Sequence, residues 1–215
     1  MTRWLGWLAA VALVAGLVMG FGYAPKDAVQ GNVQRIMYIH VPSILTAYLA
    51  FALVLVASLG FLFSRRTAWD RLAHAAGEIG VIFTGLTLVS GSIWGKPTWG
   101  TWWVWDARLT STAILFLIYV GYLLLRSMVE DPDQGARYAA VVGIVGAVNI
   151  PIVHFSVLWW RTLHQPPTLL TPERAPISPQ IAWALFVNWI AFTLLFAYFL
   201  SKRLSLRRLE EETHA

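Results

Sequence analysis

The stretch Val41–Phe63 decides the fold. It reads VPSILTAYLAFALVLVASLGFLF and carries no charged side chain. A helix needs about 20 consecutive apolar residues to cross the hydrocarbon core of a bilayer, and this stretch is long enough. Because the core holds no water, the backbone must satisfy its own hydrogen bonds, which favours a helix. The stretch is therefore predicted to be a transmembrane helix.

Five further stretches have the same character in a chain of 215 residues that is 58% hydrophobic and only 13% charged. One soluble core could not bury that much apolar surface. We therefore predict an all-α integral membrane protein with six transmembrane helices, forming one domain over residues 1–215. The third span looks shortest. The predicted spans are Trp4–Gly22, Val41–Phe63, Ile79–Ile93, Leu109–Leu125, Tyr138–Val157 and Ile181–Leu200.

The first span allows two interpretations. Arg3, the apolar run and the small residues near Gly20–Ala24 resemble a secretory signal peptide. The apolar run is longer than the usual signal core of about 7–15 residues, and Trp4 and Trp7 flank it. An uncleaved anchor is favoured, and cleavage would leave five spans without moving any later loop.

Several classes of function are excluded or disfavoured by composition. The chain has no cysteine, which removes disulfides, thiolate ligands and cysteine nucleophiles. It contains no P-loop and no motif of a serine hydrolase or zinc protease, so no conventional enzyme is expected. The formal net charge is +5. In a membrane protein, that excess reports orientation and lipid contact rather than nucleic-acid binding.

Lysine and arginine predict the orientation, because cytoplasmic segments are richer in them. One side of the six spans holds ten of the 16 such residues and the other holds six. Both termini, including a tail at about 201–215, are then cytoplasmic. The outer segments are about 23–40, 94–108 and 158–180. The outer cations are Lys26, Arg35, Lys96, Arg108, Arg161 and Arg174.

The segment Trp94–Asp106 reads WGKPTWGTWWVWD and holds five of the twelve tryptophans. One interpretation is an aromatic belt at the headgroups. A belt explains one or two aromatics at a span end, not five in a segment interrupted by Gly95, Pro97 and Gly100. The other interpretation is a platform for a large, flat, apolar ligand. The platform indoles are Trp94, Trp99, Trp102, Trp103 and Trp105.

Two histidines are expected at the level of this segment. His40 lies near the outer end of the second span, where Pro42 suits the first helical turn, and His154 lies near the outer end of the fifth. Ionisable groups at membrane depth are rare and usually functional. Neutral imidazoles are good axial ligands for haem iron, so we predict His40 and His154 as metal ligands. His164 is expected to form hydrogen bonds within its loop instead.

The outer cations Lys96, Arg108, Arg161 and Arg35 add a second signal. Arginine pairs with carboxylates through a bidentate fork, and haem carries two propionates. Arg108, with help from Lys96, is the best-placed partner. Contact with lipid headgroups, or pairing with Asp106, explains Arg108 equally well. Asp106 also suits the N-cap of the fourth span.

Three motifs resemble one known family. Residues 94–111 (WGKPTWGTWWVWDARLTS) are similar to the "WWD" signature of haem-handling membrane proteins. Within that group the resemblance is strongest to the C proteins of cytochrome c maturation, the haem exporter protein C family. The segments 37–43 (MYIHVPS) and 153–165 (VHFSVLWWRTLHQ) agree with it. The similarity extends over about residues 30–200.

The resemblance implies six spans in the bacterial inner membrane and a haem b held at the periplasmic face between His40 and His154. It implies delivery of that haem to a periplasmic haem chaperone, the E protein. The expected partners are haem, that chaperone, the A and B subunits of an ATP-binding-cassette transporter, a single-span D protein and membrane lipid.

Two other functions compete with delivery. A b-type electron-transfer subunit would keep its haem, and it predicts facing histidine pairs deeper in the spans. A haem permease subunit would need a polar or aromatic lining through several spans, but the spans are mostly Leu, Val, Ala and Gly.

Overall fold

The computed structural model of the protein describes residues 2–165 and 177–214. Helices dominate these residues, which contain no β-strand and only an isolated bridge between Asp27 and Gly31. A π-helical turn, Met19–Tyr23, extends the first helix, and a 3-10 turn, Val33–Ile36, precedes the second. The α-helices are α1 (Thr2–Val18), α2 (Met37–Ser64), α3 (Thr67–Trp99), α4 (Ala107–Met128), α5 (Pro132–Trp159) and α6 (Pro179–His214).

Within the described residues, six helices are long and apolar enough to cross a membrane. Each contains one of the six stretches expected from the sequence, so the predicted fold class is confirmed. The described part of the predicted outer segment 158–180 stops at 165 and resumes at 177. The outer cation Arg174 and the last residue of the predicted tail, Ala215, lie outside the described residues.

The end of the third span is where the prediction was wrong. The shortest predicted stretch, Ile79–Ile93, lies within α3, which has 33 residues and runs on through Gly95 and Pro97 to Trp99. Pro97 lies in the last turn, where it removes only one helical hydrogen bond. The helix ends at Gly100, whose φ of 80° is the left-handed conformation that glycine adopts without strain. The loop expected over 94–108 therefore covers only Gly100–Asp106.

The start of α2 also differs from the prediction. The 3-10 turn Val33–Ile36 runs directly into α2 at Met37. Pro42 is consequently inside the helix rather than in its first turn. His40 lies on the first turn of α2, at the same end of the bundle as Trp99 at the end of α3.

α2 lies at the centre of the bundle and packs against α3, α5 and α6. Its buried face is rich in small residues such as Ala47, Ala50 and Ala57, which let neighbouring helices approach closely. The Phe51 and Tyr119 rings stack with centroids 3.6 Å apart. This packing fixes the relative positions of the helices whose ends build the site.

A half-buried ionic cluster joins α3, α4 and α6 at the opposite end of the bundle. Arg126 donates to both carboxylate oxygens of Asp70 at 2.6 Å, and Glu78 accepts from Arg203 and Arg207. His74 contacts Glu78 at 3.3 Å. His74 Nε2 also lies 2.9 Å from Arg207 Nη2, so the ring is held between two charged partners.

α1 is the most peripheral helix, and Trp4 and Trp7 on it are 80% and 68% exposed. It is attached to α6 through the Asn188 side chain, whose Nδ2 donates to the Gly16 carbonyl at 2.8 Å. Whether the first span is retained or cleaved stays a prediction.

Candidate functional site

A cavity lies where the ends of α2, α3, α4 and α5 meet. The cavity and the open space at its mouth together enclose about 1210 Å³. Hydrophobic residues such as Ile44 and Leu88 form much of the wall, and no carboxylate is found among the described lining residues. The functional side chains that line it are His40, His154, His164, Trp94, Trp99, Trp103 and Arg108. The structure thus brings together parts of three predicted outer segments.

His40 is held in a defined orientation by α3. Its Nδ1 lies 3.2 Å from the Ser90 hydroxyl, which itself donates to the Leu86 carbonyl at 2.6 Å. Because the hydroxyl proton is used there, Ser90 accepts a hydrogen bond from His40 Nδ1–H, and Nε2 keeps its lone pair. Gly91 makes room for the ring, since a Cβ at this position would lie 2.9 Å from His40 Cε1.

His164 comes from the loop after α5 and lies beside His40. The two ring centroids are 6.4 Å apart with their planes tilted by 35°, and Trp99 is 6.1 Å from His164. His164 Nδ1 lies 2.8 Å from the Gln165 carbonyl. A carbonyl only accepts, so Nδ1 carries the proton and Nε2 is again a free lone pair. Burial, followed by the charge of Arg108, lowers the pKa of His164 and keeps it neutral.

Asp106 holds the loop that carries His164. One carboxylate oxygen accepts from the Leu109 amide at 2.8 Å and caps α4, as the sequence suggested. The other accepts from the Leu163 amide at 3.2 Å. Asp106 does not line the cavity. It connects the start of α4 to the histidine loop.

His154 also lines the cavity. It is on α5, three residues after Pro151. Its nearest aromatic neighbours are Tyr48, with centroids 6.3 Å apart, and Phe155, at 4.9 Å. Its Nε2 is buried, and no group in the described part of the chain forms a hydrogen bond with it.

The five predicted platform tryptophans divide into two groups. Trp94, Trp99 and Trp103 line the cavity, and the Trp94 indole donates to Gln30 Oε1 at 2.7 Å. Trp102 and Trp105 are 56% and 81% exposed and are not part of the lining. The interior of the site is thus built from three indoles, while two face outward.

The predicted cations also divide. Arg108 lines the cavity beside Tyr48. Lys96 donates instead to the Gly100 carbonyl at 3.1 Å, at the end of α3. Arg35 donates to the carbonyls of Gly20, Phe21 and Ala24 and thereby satisfies backbone acceptors at the end of the first span. Arg161 is exposed.

His164 forms the hydrogen bonds within its loop that were expected from the sequence. Its place in the cavity lining was not predicted, because the loop after α5 carried no periodicity to place it. A signal was present nonetheless, since His164 belongs to the same motif, 153–165, as His154. Tyr48 was missed as well. It lies in the middle of the apolar stretch Val41–Phe63, where nothing in the sequence separates it from ordinary core residues.

A helical bundle with six candidate spans, and with a cavity lined by histidines, indoles and one arginine, defines a multi-span membrane protein with a candidate ligand site. A model of the family described as "Heme exporter protein C" matches residues 1–215. The chain belongs to the Heme exporter protein C family, as the three motifs had suggested.

Individual members of the family are similar over most of their length. The Heme exporter protein C of Bradyrhizobium diazoefficiens is 47% identical over 197 residues, which cover 90% of this chain and 74% of the relative. That of Escherichia coli K12 is 43% identical over 186 residues, 85% of this chain and 75% of the relative. That of Haemophilus influenzae is 40% identical over 210 residues, 95% and 83% respectively.

Proposed function

We propose that the protein binds haem b in this cavity and delivers it to a periplasmic haem chaperone for the maturation of c-type cytochromes. The observation that carries the proposal is the 6.4 Å separation of the His40 and His164 rings inside a tryptophan-lined cavity. The name of the relatives, Heme exporter protein C, supports a role in haem handling. We propose a binding and delivery protein and not an enzyme.

The residues fit a haem with two axial imidazoles. An imidazole nitrogen bonds a transition metal at about 2 Å, so two imidazoles on opposite sides of one metal ion have centroids roughly 6 Å apart. His40 and His164 meet that distance, and both keep Nε2 free because Nδ1 is hydrogen-bonded. Bound haem would supply an iron that accepts these two nitrogens.

The pair predicted from the sequence, His40 with His154, stays a prediction. The ring contacts of His154 are with Tyr48 and Phe155, whereas those of His40 are with Trp94 and His164. This difference favours His164 as the second ligand. Variants of the two histidines separate the alternatives.

The remaining residues would hold and orient the macrocycle. Trp94, Trp99 and Trp103 offer flat apolar surfaces, and Arg108 offers a charged partner for a propionate. Trp102 and Trp105, which are exposed, form the surface on which an acceptor would dock. Lys96 is not assigned to a propionate, because its ammonium group already donates to the Gly100 carbonyl.

The location proposed is the inner membrane, with both termini in the cytoplasm and the cavity at the periplasmic face. The distribution of Lys and Arg supports this orientation. Candidate partners are the E chaperone, the A and B transporter subunits and the D protein. Cysteine labelling of Trp105→Cys and Ser127→Cys in spheroplasts tests the orientation, because only the first should react with an impermeant reagent.

Mixing the haem-loaded full chain with the purified E chaperone tests delivery. The expected result is loss of haem from this protein and its appearance on the acceptor. A b-type electron carrier would retain its haem and only change oxidation state, which would contradict delivery. A haem permease would load haem from either side of a vesicle membrane, whereas a delivery protein with one outer site loads it from the cavity side only.

A further inference from the structure

Three buried polar atoms around the cavity have no hydrogen-bond partner among the described residues. They are Trp103 Nε1, Arg108 Nε and His154 Nε2. The Tyr48 hydroxyl is buried as well and lies next to the Arg108 guanidinium. All four residues line the cavity. Buried polar groups are normally paired, so unpartnered atoms in the lining of one cavity indicate that an absent ligand completes them.

The contacts place three of these side chains together. The Tyr48 and His154 rings have centroids 6.3 Å apart. The Arg108 guanidinium lies next to the Tyr48 hydroxyl and interacts electrostatically with His154, as it also does with His40 and His164. They come from α2, α4 and α5, and Trp103 comes from the loop before α4, so the group is assembled only by the fold.

The chemistry of the group indicates an anion. Arginine, tryptophan N–H and the tyrosine hydroxyl are hydrogen-bond donors, and a histidine with a protonated Nε2 adds a fourth. No carboxylate is found in the described lining. Asp106, which interacts electrostatically with Arg108, has its two oxygens occupied by the Leu109 and Leu163 amides. A carboxylate, with two acceptor oxygens, satisfies several donors at once.

The group also has ring contacts different from those of the His40–His164 pair. His40 has ring contacts with Trp94 and His164, and His164 has one with Trp99 as well. The ring contacts of His154 are with Tyr48 and Phe155. A ligand with an iron at one point and a carboxylate at another would use both parts of the cavity.

We propose that Tyr48, Trp103, Arg108 and His154 form a carboxylate subsite that takes one propionate of the bound haem, and that His154 acts here rather than on the iron. This inference rests on the proposed function. It adds three residues to the single arginine expected from the sequence, and it makes the carboxylate a feature by which the site selects its porphyrin.

The test compares haemin with haemin dimethyl ester, in which both carboxylates are blocked. Each is titrated into the purified full chain, and the dissociation constant is taken from the Soret absorbance. The native chain is expected to bind haemin at least about tenfold more tightly than the ester, as expected for loss of hydrogen bonds to a charged group.

The variants Tyr48→Phe and His154→Ala assign the preference to this group. Each should weaken haemin binding by about tenfold and leave ester binding nearly unchanged. Tyr38→Phe is the matched control, because its hydroxyl is also buried next to a polar side chain, Gln34, but Tyr38 does not line the cavity. It should keep the full preference for haemin.

Equal affinity for haemin and its ester in the native chain overturns the subsite while leaving haem binding intact. A preference that survives both variants also overturns it. If His154→Ala loses its low-spin spectrum with the ester as well as with haemin, His154 is an iron ligand and the assignment is wrong. Failure of the native chain to bind either porphyrin overturns the proposed function together with the subsite.

Discussion

The imidazole rings of His40 and His164 both line the cavity, with their centroids 6.4 Å apart and their planes tilted by 35°. The two residues come from distant parts of the chain, the first turn of α2 and the loop after α5. Each has Nδ1 hydrogen-bonded and Nε2 free. This pair is the geometric basis of the proposed haem site.

Gly91 should be required for the position of His40. In Gly91→Ala, the added methyl would lie 2.9 Å from His40 Cε1, so the ring must move. Overpacking of this kind typically costs about 1–3 kcal/mol, and we expect haem affinity to fall by about tenfold or more. Gly121→Ala is the control, since no atom outside its own helix backbone and chain neighbours lies within 4 Å of the new Cβ. Equal haem affinity in the two variants would contradict the steric argument.

Ser90→Ala should change the basicity of His40 without abolishing haem binding. The variant removes the acceptor of His40 Nδ1–H, and such partners of a ligand orient it and raise its basicity. We expect weaker haem binding and a shifted reduction potential, measured by spectroelectrochemical titration. Ser127→Ala, which loses only a hydrogen bond to its own helix, should leave both values unchanged. An unshifted potential in Ser90→Ala would show that the hydroxyl does not act on the ligand.

Asp106→Ala should damage the site as well as the helix that it caps. Loss of an N-cap costs about 1 kcal/mol, and here the Leu163 amide also loses its acceptor, which frees the His164 loop. Asp131→Ala removes the comparable cap of α5 and serves as the control. Both variants should lose similar thermal stability, while only Asp106→Ala should lose haem affinity. A parallel loss in both would mean that Asp106 is a helix cap and nothing more.

The tryptophans should separate into two functional groups. Trp99→Leu removes a cavity wall beside His164. It should weaken haem binding by about tenfold, because an aromatic pair contributes on the order of 1 kcal/mol beyond the area that it buries. Trp105→Leu removes an exposed ring. It should leave haem affinity unchanged but slow transfer to the E chaperone in a stopped-flow experiment. The reverse pattern would contradict the division of the indoles.

The sequence predicted the spans well because hydrophobic length alone decides them. Val41–Phe63 lies entirely within α2, and the other five stretches also lie inside single candidate spans. The end of α3 could not be predicted, since Pro97 usually marks a break. Here it lies in the last turn, where the missing N–H removes one bond and Gly100 ends the helix.

The site was predicted only in part because its geometry is non-local. His40, His154 and Arg108 were expected at one face and do line one cavity. The approach of His164 depends on Asp106 accepting from the Leu163 amide, a contact between distant parts of the chain. No periodicity or local motif encodes that contact, so the loop could not be placed from sequence.

The spectrum of single histidine variants tests the central claim most directly. The full chain carrying haemin is purified as native protein and as His40→Ala, His154→Ala and His164→Ala, and its spin state is read from visible absorption and low-temperature electron paramagnetic resonance. We predict a low-spin, bis-histidine signal in the native chain and in His154→Ala, and a high-spin signal in His40→Ala and His164→Ala. A high-spin His154→Ala with a low-spin His164→Ala would contradict this account and return the second ligand to His154.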